Sequence, residues 1–314
     1  MKVEIINKIV KKIKIFRYNI KNHNIPYAIN SFIHRKNYKY YKKNFNRLDF
    51  KNEIEELYFK RKNKILDLEN PKSFNEKIQN LKYYDNIKSK TELADKYLMK
   101  KYITKEIGEE YNVKCLGNWK KFEEINFDKL PEQFVLKCNH GSGMNWIVKD
   151  KNKINKIELK KKIKKALNTD FSIVNGFELQ YHNIDRLIFA EEFIKDEFAD
   201  LQVWIANEKI LFMCYIKDPH GDNRKKSYDE NWNELDFVTS KPKLEDKIKK
   251  PKNLDEIKKL SIKLAKGFKF VRVDWYLINN DKIKISELTF TPASGFCEWD
   301  PSDADNRFKE FYVK

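Results

Sequence analysis

The sequence predicts an α+β fold, with helices and antiparallel hairpins mixed rather than alternating around a parallel sheet. Three observations predict it. Two late strand patterns, 271–276 and 282–288, flank Asn279-Asn280-Asp281, which has turn composition. Two earlier ones, 134–138 and 146–149, flank the glycine-containing segment Asn139-His140-Gly141-Ser142-Gly143. Helical patterns lie before and between these hairpins. One opens at Ser73-Phe74-Asn75-Glu76, just after Pro71, with the spacing of a capping box.

The remaining elements follow in chain order. Residues 1–50 are basic and aromatic, and Val3, Ile6, Ile9 and Val10 recur at helical spacing. Such a segment suits an anionic membrane surface, and it equally suits packing against its own domain. A second helix is expected from about Thr91, running over 93–102 and carrying Lys96. A charged helix fits 157–167, strands fit 187–194, 201–206 and 210–216, and a helix fits 254–266. The stretch 218–252, with Pro219, Gly221, Pro242 and Pro251, reads as a polar loop region. No internal repeat is visible.

With 314 residues, 41% of them hydrophobic and 14% aromatic, the chain can bury a core and hold two or three subdomains. Its formal charge of +18 favours an anionic partner: a nucleotide, nucleic acid, an acidic glycan or an anionic membrane surface. The abundance of Lys, Asn and Ile throughout equally expresses an AT-biased genome. Cys115, Cys138, Cys214 and Cys297 lack CxxC spacing, which excludes a zinc ribbon or thioredoxin motif and fits a reducing cytoplasm. No apolar run has the length of a membrane span, and the lysine-interrupted N-terminus does not read as a signal peptide.

Asp274 and Glu287 lie thirteen positions apart, as cross-strand partners in a hairpin would. Two hard oxygen ligands side by side suit Mg²⁺ carrying nucleotide phosphates, although solvated strand carboxylates are common. Arg272 two positions earlier, and the Pro-x-x-Gly turn at 292–295, favour the first reading. Gly141 and Gly143 let a backbone curl around an anion, and Lys137 at the end of the entering strand adds a point charge. The segment lacks the GxxxxGK[ST] pattern of a Walker A loop, and such loops are often only turns. The strand around Glu191-Glu192 ends in two acids, either solvated or at a hinge that meets an adenine edge. Arg224-Lys225-Lys226 is a solvated basic loop or a contact for an acidic acceptor. No Asp-x-Asp metal motif of the nucleotide-sugar type is read.

Taken in order, these blocks resemble the ATP-grasp superfamily, and more narrowly the TupA-like ATP-grasp proteins of bacterial cell-surface polysaccharide loci. The likeness covers roughly residues 70–300. It rests on Phe74-Asn75-Glu76-Lys77-Ile78-Gln79, Leu93-Ala94-Asp95-Lys96-Tyr97, Leu116-Gly117-Asn118-Trp119, 134–143, Ala190-Glu191-Glu192-Phe193, Tyr228-Asp229-Glu230-Asn231-Trp232-Asn233, and 270–274 with 287–296. The resemblance implies ATP and Mg²⁺ as cofactors, with the nucleotide held between two α+β subdomains. It implies a basic N-terminal extension over 1–50, a helical or α+β region over 51–130, a lid with the glycine hairpin over 131–194, and a core with the metal site over 195–314. Lys96 and Lys137 match phosphate-holding lysines, and Gly141, Ser142 and Gly143 match the loop that closes over phosphate. Glu191, Glu192 and Ile194 fall on the adenine hinge. Asp200 joins the nucleotide contacts. Asp274 and Glu287 match metal ligands, Thr289 stands where the wider superfamily has Asn, and Arg272 is placed to steady the transferred group.

Two positions depart from the closer family. Asp200-Leu201-Gln202 stands where Asp-Tyr-Lys is common, so a cation is missing at Gln202. Pro292-Ala293-Ser294-Gly295 replaces Pro-Gly-Ser-Gly, a change expected to cost only backbone freedom. The implied activity is carboxylate–amine ligation through an acyl-phosphate, joining an acidic sugar or glycan to an amino acid or amine in the cytoplasm or at the inner face of the membrane. The alternatives are a glycan kinase, a polysaccharide protein labelled a glycosyltransferase, and a non-catalytic binder of anionic lipid or nucleic acid, nucleic acid being the least favoured partner.

Overall fold

A computed structural model describes residues 25–219, 221, 223–239, 242–279 and 281–313, with single positions 13, 17 and 20. The spacing read at Val3, Ile6, Ile9 and Val10 lies outside the described residues. Among those described, no helix is long and apolar enough to cross a membrane, and all four cysteines are free.

Two antiparallel sheets dominate. One has the order β1-β4-β2-β3, from β1 Cys115–Trp119, β2 Phe134–Cys138, β3 Asn145–Val148 and β4 Ile188–Glu192. The other has the order β10-β9-β5-β6-β7, from β5 Phe198–Ala206, β6 Lys209–Ile216, β7 Lys225–Tyr228, β9 Phe270–Ile278 and β10 Lys282–Thr289. A short pair, β8 Val238–Thr239 and β11 Trp299–Asp300, completes the described strands. The first sheet begins at Cys115, so the expected boundary at residue 131 falls inside it. Gly117, at φ +157°, and a register shift between Cys115 and Gly117 break the alternation that would have announced β1.

Period-two alternation explains the large sheet. Val271, Val273, Trp275 and Leu277 point into a core shared with Leu201, Val203, Ile205 and helix Leu254–Ala265. Phe270, on the other face, joins Trp204, Phe212, Trp299, Phe308 and Phe311 around Phe74. Phe74 opens the helix Phe74–Tyr84, whose capping box is formed: Glu76 N–H donates to Ser73 Oγ at 3.3 Å and Ser73 N–H to Glu76 Oε2 at 3.2 Å. The small sheet packs Phe134, Leu136 and Cys138 against helix Lys156–Leu167.

The expected helix over 93–102 is two helices, Lys88–Ala94 and Leu98–Glu106. Asp95 turns its carboxylate back to accept from Tyr97 N–H (2.8 Å) and Leu98 N–H (3.1 Å), so the chain bends there despite good helix formers on both sides. Lys96 therefore sits in an elbow. The region 218–252 also holds more order than expected. Lys225 and Lys226 are buried in β7, where Lys226 Nζ pairs with Glu234 at 2.9 Å, so this stretch is no solvated loop.

Helices Ile25–Lys36, Tyr38–Asn44 and Phe50–Lys62 form an N-terminal cluster on residues 171–181 and Phe296. His34 lies inside it, its Nε2 2.8 Å from Ile173 O and its ring against Tyr41 and Phe177. Burial, with Arg61 nearby, pulls its pKa from the ordinary 6.5 to about 3. Below pH 6.5 the unfolded chain binds a proton that the folded chain refuses, so this residue's cost to stability grows as pH falls, by about 1.4 kcal/mol per pH unit, and levels off near pH 3. Urea unfolding at pH 7 and pH 5 should show that loss, and His34→Gln should flatten the difference.

The turn Pro292–Gly295 holds three consecutive left-handed residues: Ala293 (φ 48°), Ser294 (φ 55°) and Gly295 (φ 71°). Gln79 Nε2 donates to Ser294 O (3.1 Å) and Gly295 O (2.9 Å), and Lys82 Nζ donates to Ser294 O (3.2 Å). Alanine at 293 thus costs strain rather than only backbone freedom, because its Cβ crowds a carbonyl in this conformation. Ala293→Gly should raise stability by about 1 kcal/mol, read as a higher urea midpoint at unchanged slope.

Candidate active site

The face of the large sheet that carries Phe270 continues along β9 as Arg272, Asp274 and Tyr276. Register sets Asp274 opposite Glu287 of β10 and opposite Gln202 of β5, with a bulge between Ile285 and Glu287. Like charges facing each other across a pair of strands repel, and Arg272 resolves the conflict. Its Nε donates to Asp274 Oδ1 at 2.7 Å and its Nη2 to Oδ2 at 2.6 Å. The same Nη2 reaches Glu287 Oε1 at 3.2 Å and Thr289 Oγ1 at 3.1 Å, and Thr289 donates onward to Glu287 Oε1 at 3.0 Å. Lys96 pairs with Glu287 Oε2. The Arg272 guanidinium also lies 5.5 Å from the Trp204 ring centroid.

The two acids respond differently. Burial raises the Asp274 carboxyl to about 6, against the opposing pull of Arg272. Burial pushes Glu287 the same way, but Lys96 and Arg272 overcome it and hold that carboxyl at about 2. Asp200, one row along on β5, is raised to about 7 by burial and by the charges of Asp274 and Glu287, with Arg272 and then Lys225 pulling it down.

The small sheet supplies the opposite wall. Lys137 on β2 and Glu191 on β4 share its cleft face, and Lys137 Nζ meets Glu191 Oε2 at 2.5 Å. Lys100 takes the other oxygen of Glu191 and donates to Val113 O at 2.7 Å. Burial would raise the Glu191 carboxyl, but Lys137 and Lys100 outweigh it and hold it low. Glu191, expected on the adenine hinge, lines the larger cavity and is the buried counter-ion of two lysines. Lys100 had no signal of its own in the sequence.

The loop between β2 and β3 closes with Cys138 N–H on Met144 O at 2.9 Å. Lys96 N–H donates to Asn139 O at 3.0 Å, and Asn139 Nδ2 reaches Asp95 Oδ2 at 2.7 Å, so the elbow and the loop brace one another. Gly143 needs its freedom at φ +70° and faces open space. Gly141 is packed, since a Cβ there would lie 2.6 Å from the Phe171 ring. His140 is buried with Nε2 3.1 Å from Ala166 O, a packing role rather than a phosphate contact.

Both walls line a cavity of about 360 Å³ that includes Lys96, Lys137, Gly141, Ser142, Gly143, Asp200, Gln202, Lys225, Arg272, Asp274 and Glu287. A larger cavity of about 920 Å³ shares Lys137 and Tyr276 with it and is lined by Val135, Glu191, Glu192, Phe193, Ile194 and Leu277. Thr289 is absent from both linings and reaches the site through Arg272 and Glu287. Gln202 occupies the row of Asp274, donating to it at 3.4 Å. Lys225, on the same face two strands away, brings a cation to the cavity that lacks one at 202. Asp-x-Asp spacing does occur, at Asp303-Ala304-Asp305, contrary to the sequence reading. There Asp305 accepts from Asn75 N–H (3.0 Å) and Asp303 accepts from Arg307 Nη2 (2.9 Å), outside both cavities.

A hard divalent cation fits this donor set. Asp200 Oδ1 and Gln202 Oε1 are buried without hydrogen-bond partners beside Asp274. Among the described residues no group of three His, Cys, Asp or Glu side chains forms a metal cage by itself. Two protein carboxylates with phosphate oxygens completing the shell is the arrangement Mg²⁺ favours.

No curated protein matches the chain. Solved structures similar to it include a D-alanine–D-alanine ligase from Bacillus anthracis, 22% identical over 63% of this chain and 57% of that one (TM-score 0.39). An N5-carboxyaminoimidazole synthase from Aspergillus clavatus is 14% identical over 63% and 44% (TM-score 0.38). A D-alanyl-alanine synthetase A from Vibrio cholerae is 14% identical over 63% and 55% (TM-score 0.39). The chain spans about half the length of these proteins. The family described as TupA-like ATPgrasp matches residues 76–312, which takes in every site residue above. On that match, the chain belongs to the TupA-like ATP-grasp family.

Proposed function

We propose that this protein is an ATP- and Mg²⁺-dependent carboxylate–amine ligase acting in cell-surface polysaccharide assembly, on an acidic sugar or glycan and an amino acid or amine. The observation that carries the reading is the meeting, in one cavity, of an acid pair bridged by arginine, Lys96 from the elbow and Lys137 from the facing wall. A triphosphate needs that arrangement of charge, and a passive anion binder has no use for the acids. Family membership supports the nucleotide.

In this reading Asp274 and Glu287 hold Mg²⁺, which when bound neutralises phosphate charge. Thr289 orients Glu287, Asp200 and Gln202 supply further oxygen to the site, and the larger cavity beside Glu192 and Ile194 takes the base. Lys96 and Lys137 balance the negative charge that shifts as a substrate carboxylate oxygen bonds to the γ-phosphorus and the bond to ADP breaks. Arg272 steadies the resulting acyl-phosphate. The Gly141–Gly143 loop excludes water, which would hydrolyse that intermediate. An amine then attacks the acyl carbon, inorganic phosphate leaves, and the nitrogen loses a proton as the amide forms.

The test is phosphate release from Mg·ATP across a panel of uronic acids and amines. Amide product with free phosphate is expected; a phosphorylated sugar without free phosphate would identify a glycan kinase instead. Asp274→Asn and Glu287→Gln should each lower Mg²⁺-dependent turnover by about a hundredfold or more, with thermal unfolding checking that both variants fold. Turnover unchanged in either would remove that residue from the metal site. Chelation by EDTA should abolish turnover in the wild type.

A further inference from the structure

The helix Ile25–Lys36 is packed the wrong way round for a helix that only supports its own domain. It buries Ala28, Ser31 and His34, and exposes its large apolar side chains: Ile25 58%, Ile29 42%, Phe32 40% and Ile33 45%. At 100° per residue these four fall on one stripe, with Lys36 at its end. Lys36 Nζ lies 5.3 Å from the Phe32 ring centroid. Ile13 and Ile20 are also exposed. An apolar stripe of this size in water calls for a cover.

Charge identifies the cover. Residues 1–50 hold thirteen Lys and Arg against Glu4 and Asp49, a net +11 of the chain's +18. Arg35, Lys36, Lys39, Lys43 and Arg47 are exposed around the stripe. A second copy of the same face would bring two such segments together and be repelled. A bilayer with anionic headgroups meets the cations while its acyl boundary accepts isoleucine and phenylalanine. We infer that this helix docks the protein on an anionic lipid bilayer, lying in the interface plane with Ile25, Ile29, Phe32 and Ile33 inserted. The docking does not depend on the ligase reading, since none of these residues lines the cleft.

The test is co-sedimentation of the full chain with vesicles of phosphatidylcholine alone or mixed with phosphatidylglycerol. Wild type should pellet with the mixed vesicles, stay in solution with the neutral ones, and release as salt rises. Ile29→Gln with Phe32→Gln should weaken binding by about tenfold or more without altering charge, and Lys36→Gln with Lys39→Gln should weaken it by about tenfold with the apolar stripe intact. Circular dichroism melts confirm that both variants fold, which exposed positions permit. Wild type that remains in solution with the mixed vesicles would overturn the inference. So would an Ile29/Phe32 variant that pellets like wild type. A wild-type dimer in sedimentation velocity that the same variant dissolves would name a second copy as the occupant instead.

Discussion

One guanidinium holds this site together. Asp274 and Glu287 face each other across β9 and β10, and Arg272 Nη2 touches both. Burying two acids and an arginine gains little net stability, because desolvation offsets their attraction. What the pairing does is keep a charged, closely spaced donor set at one place. Lys96 then divides the pair electrically: it holds Glu287 ionised, while Asp274 sits near the point of taking a proton. A cation with its phosphates would supply both acids with a partner and the two lysines with counter-charges, so the ligand exchanges one satisfied set for another.

The opposite wall follows the same logic. Lys137 cannot lie free on a buried strand without losing its charge, and Glu191 prevents that. Glu191 in turn is shared with Lys100. Each wall therefore carries its own compensated cluster, and the space between them can open to water without stranding a charge. Asp95 and Asn139 couple the clusters mechanically, because the elbow bearing Lys96 is hydrogen-bonded to the loop that follows Lys137.

Those parts of the site governed by alternation were legible in the sequence. The spacing of Asp274 and Glu287, with a turn between them, implied their register, and Ser73 with Glu76 marked a helix start. What sequence could not display were long-range bonds. Composition does not distinguish Asp95 inside Leu93-Ala94-Asp95-Lys96 from an ordinary helical acid; beside its local bonds to Tyr97 and Leu98 N–H, it is held by Asn139, 44 positions away. Lys225 and Lys226 read as solvated because their burial depends on neighbours such as Thr239 and Glu234. The ion pair of Glu191 with Lys100 was not legible because Lys100 approaches from another element. Family pattern supplied the order of the blocks, and geometry shows how their side chains pair with one another.

Position 202 shows why such pairing matters. A lysine there would sit directly opposite Asp274 and pair with it, in competition with Arg272. Glutamine leaves that carboxylate to Arg272 and contributes a neutral amide whose oxygen is buried beside it. The cavity's positive charge then comes from Arg272, Lys96, Lys137 and Lys225, while Asp200, Gln202, Asp274 and Glu287 line it with oxygen. Such a distribution places cations where phosphate oxygens would lie and donors where a metal would lie. In the proposed reading, glutamine at 202 leaves the metal-side carboxylate without a lysine and the phosphate-side cations on other elements.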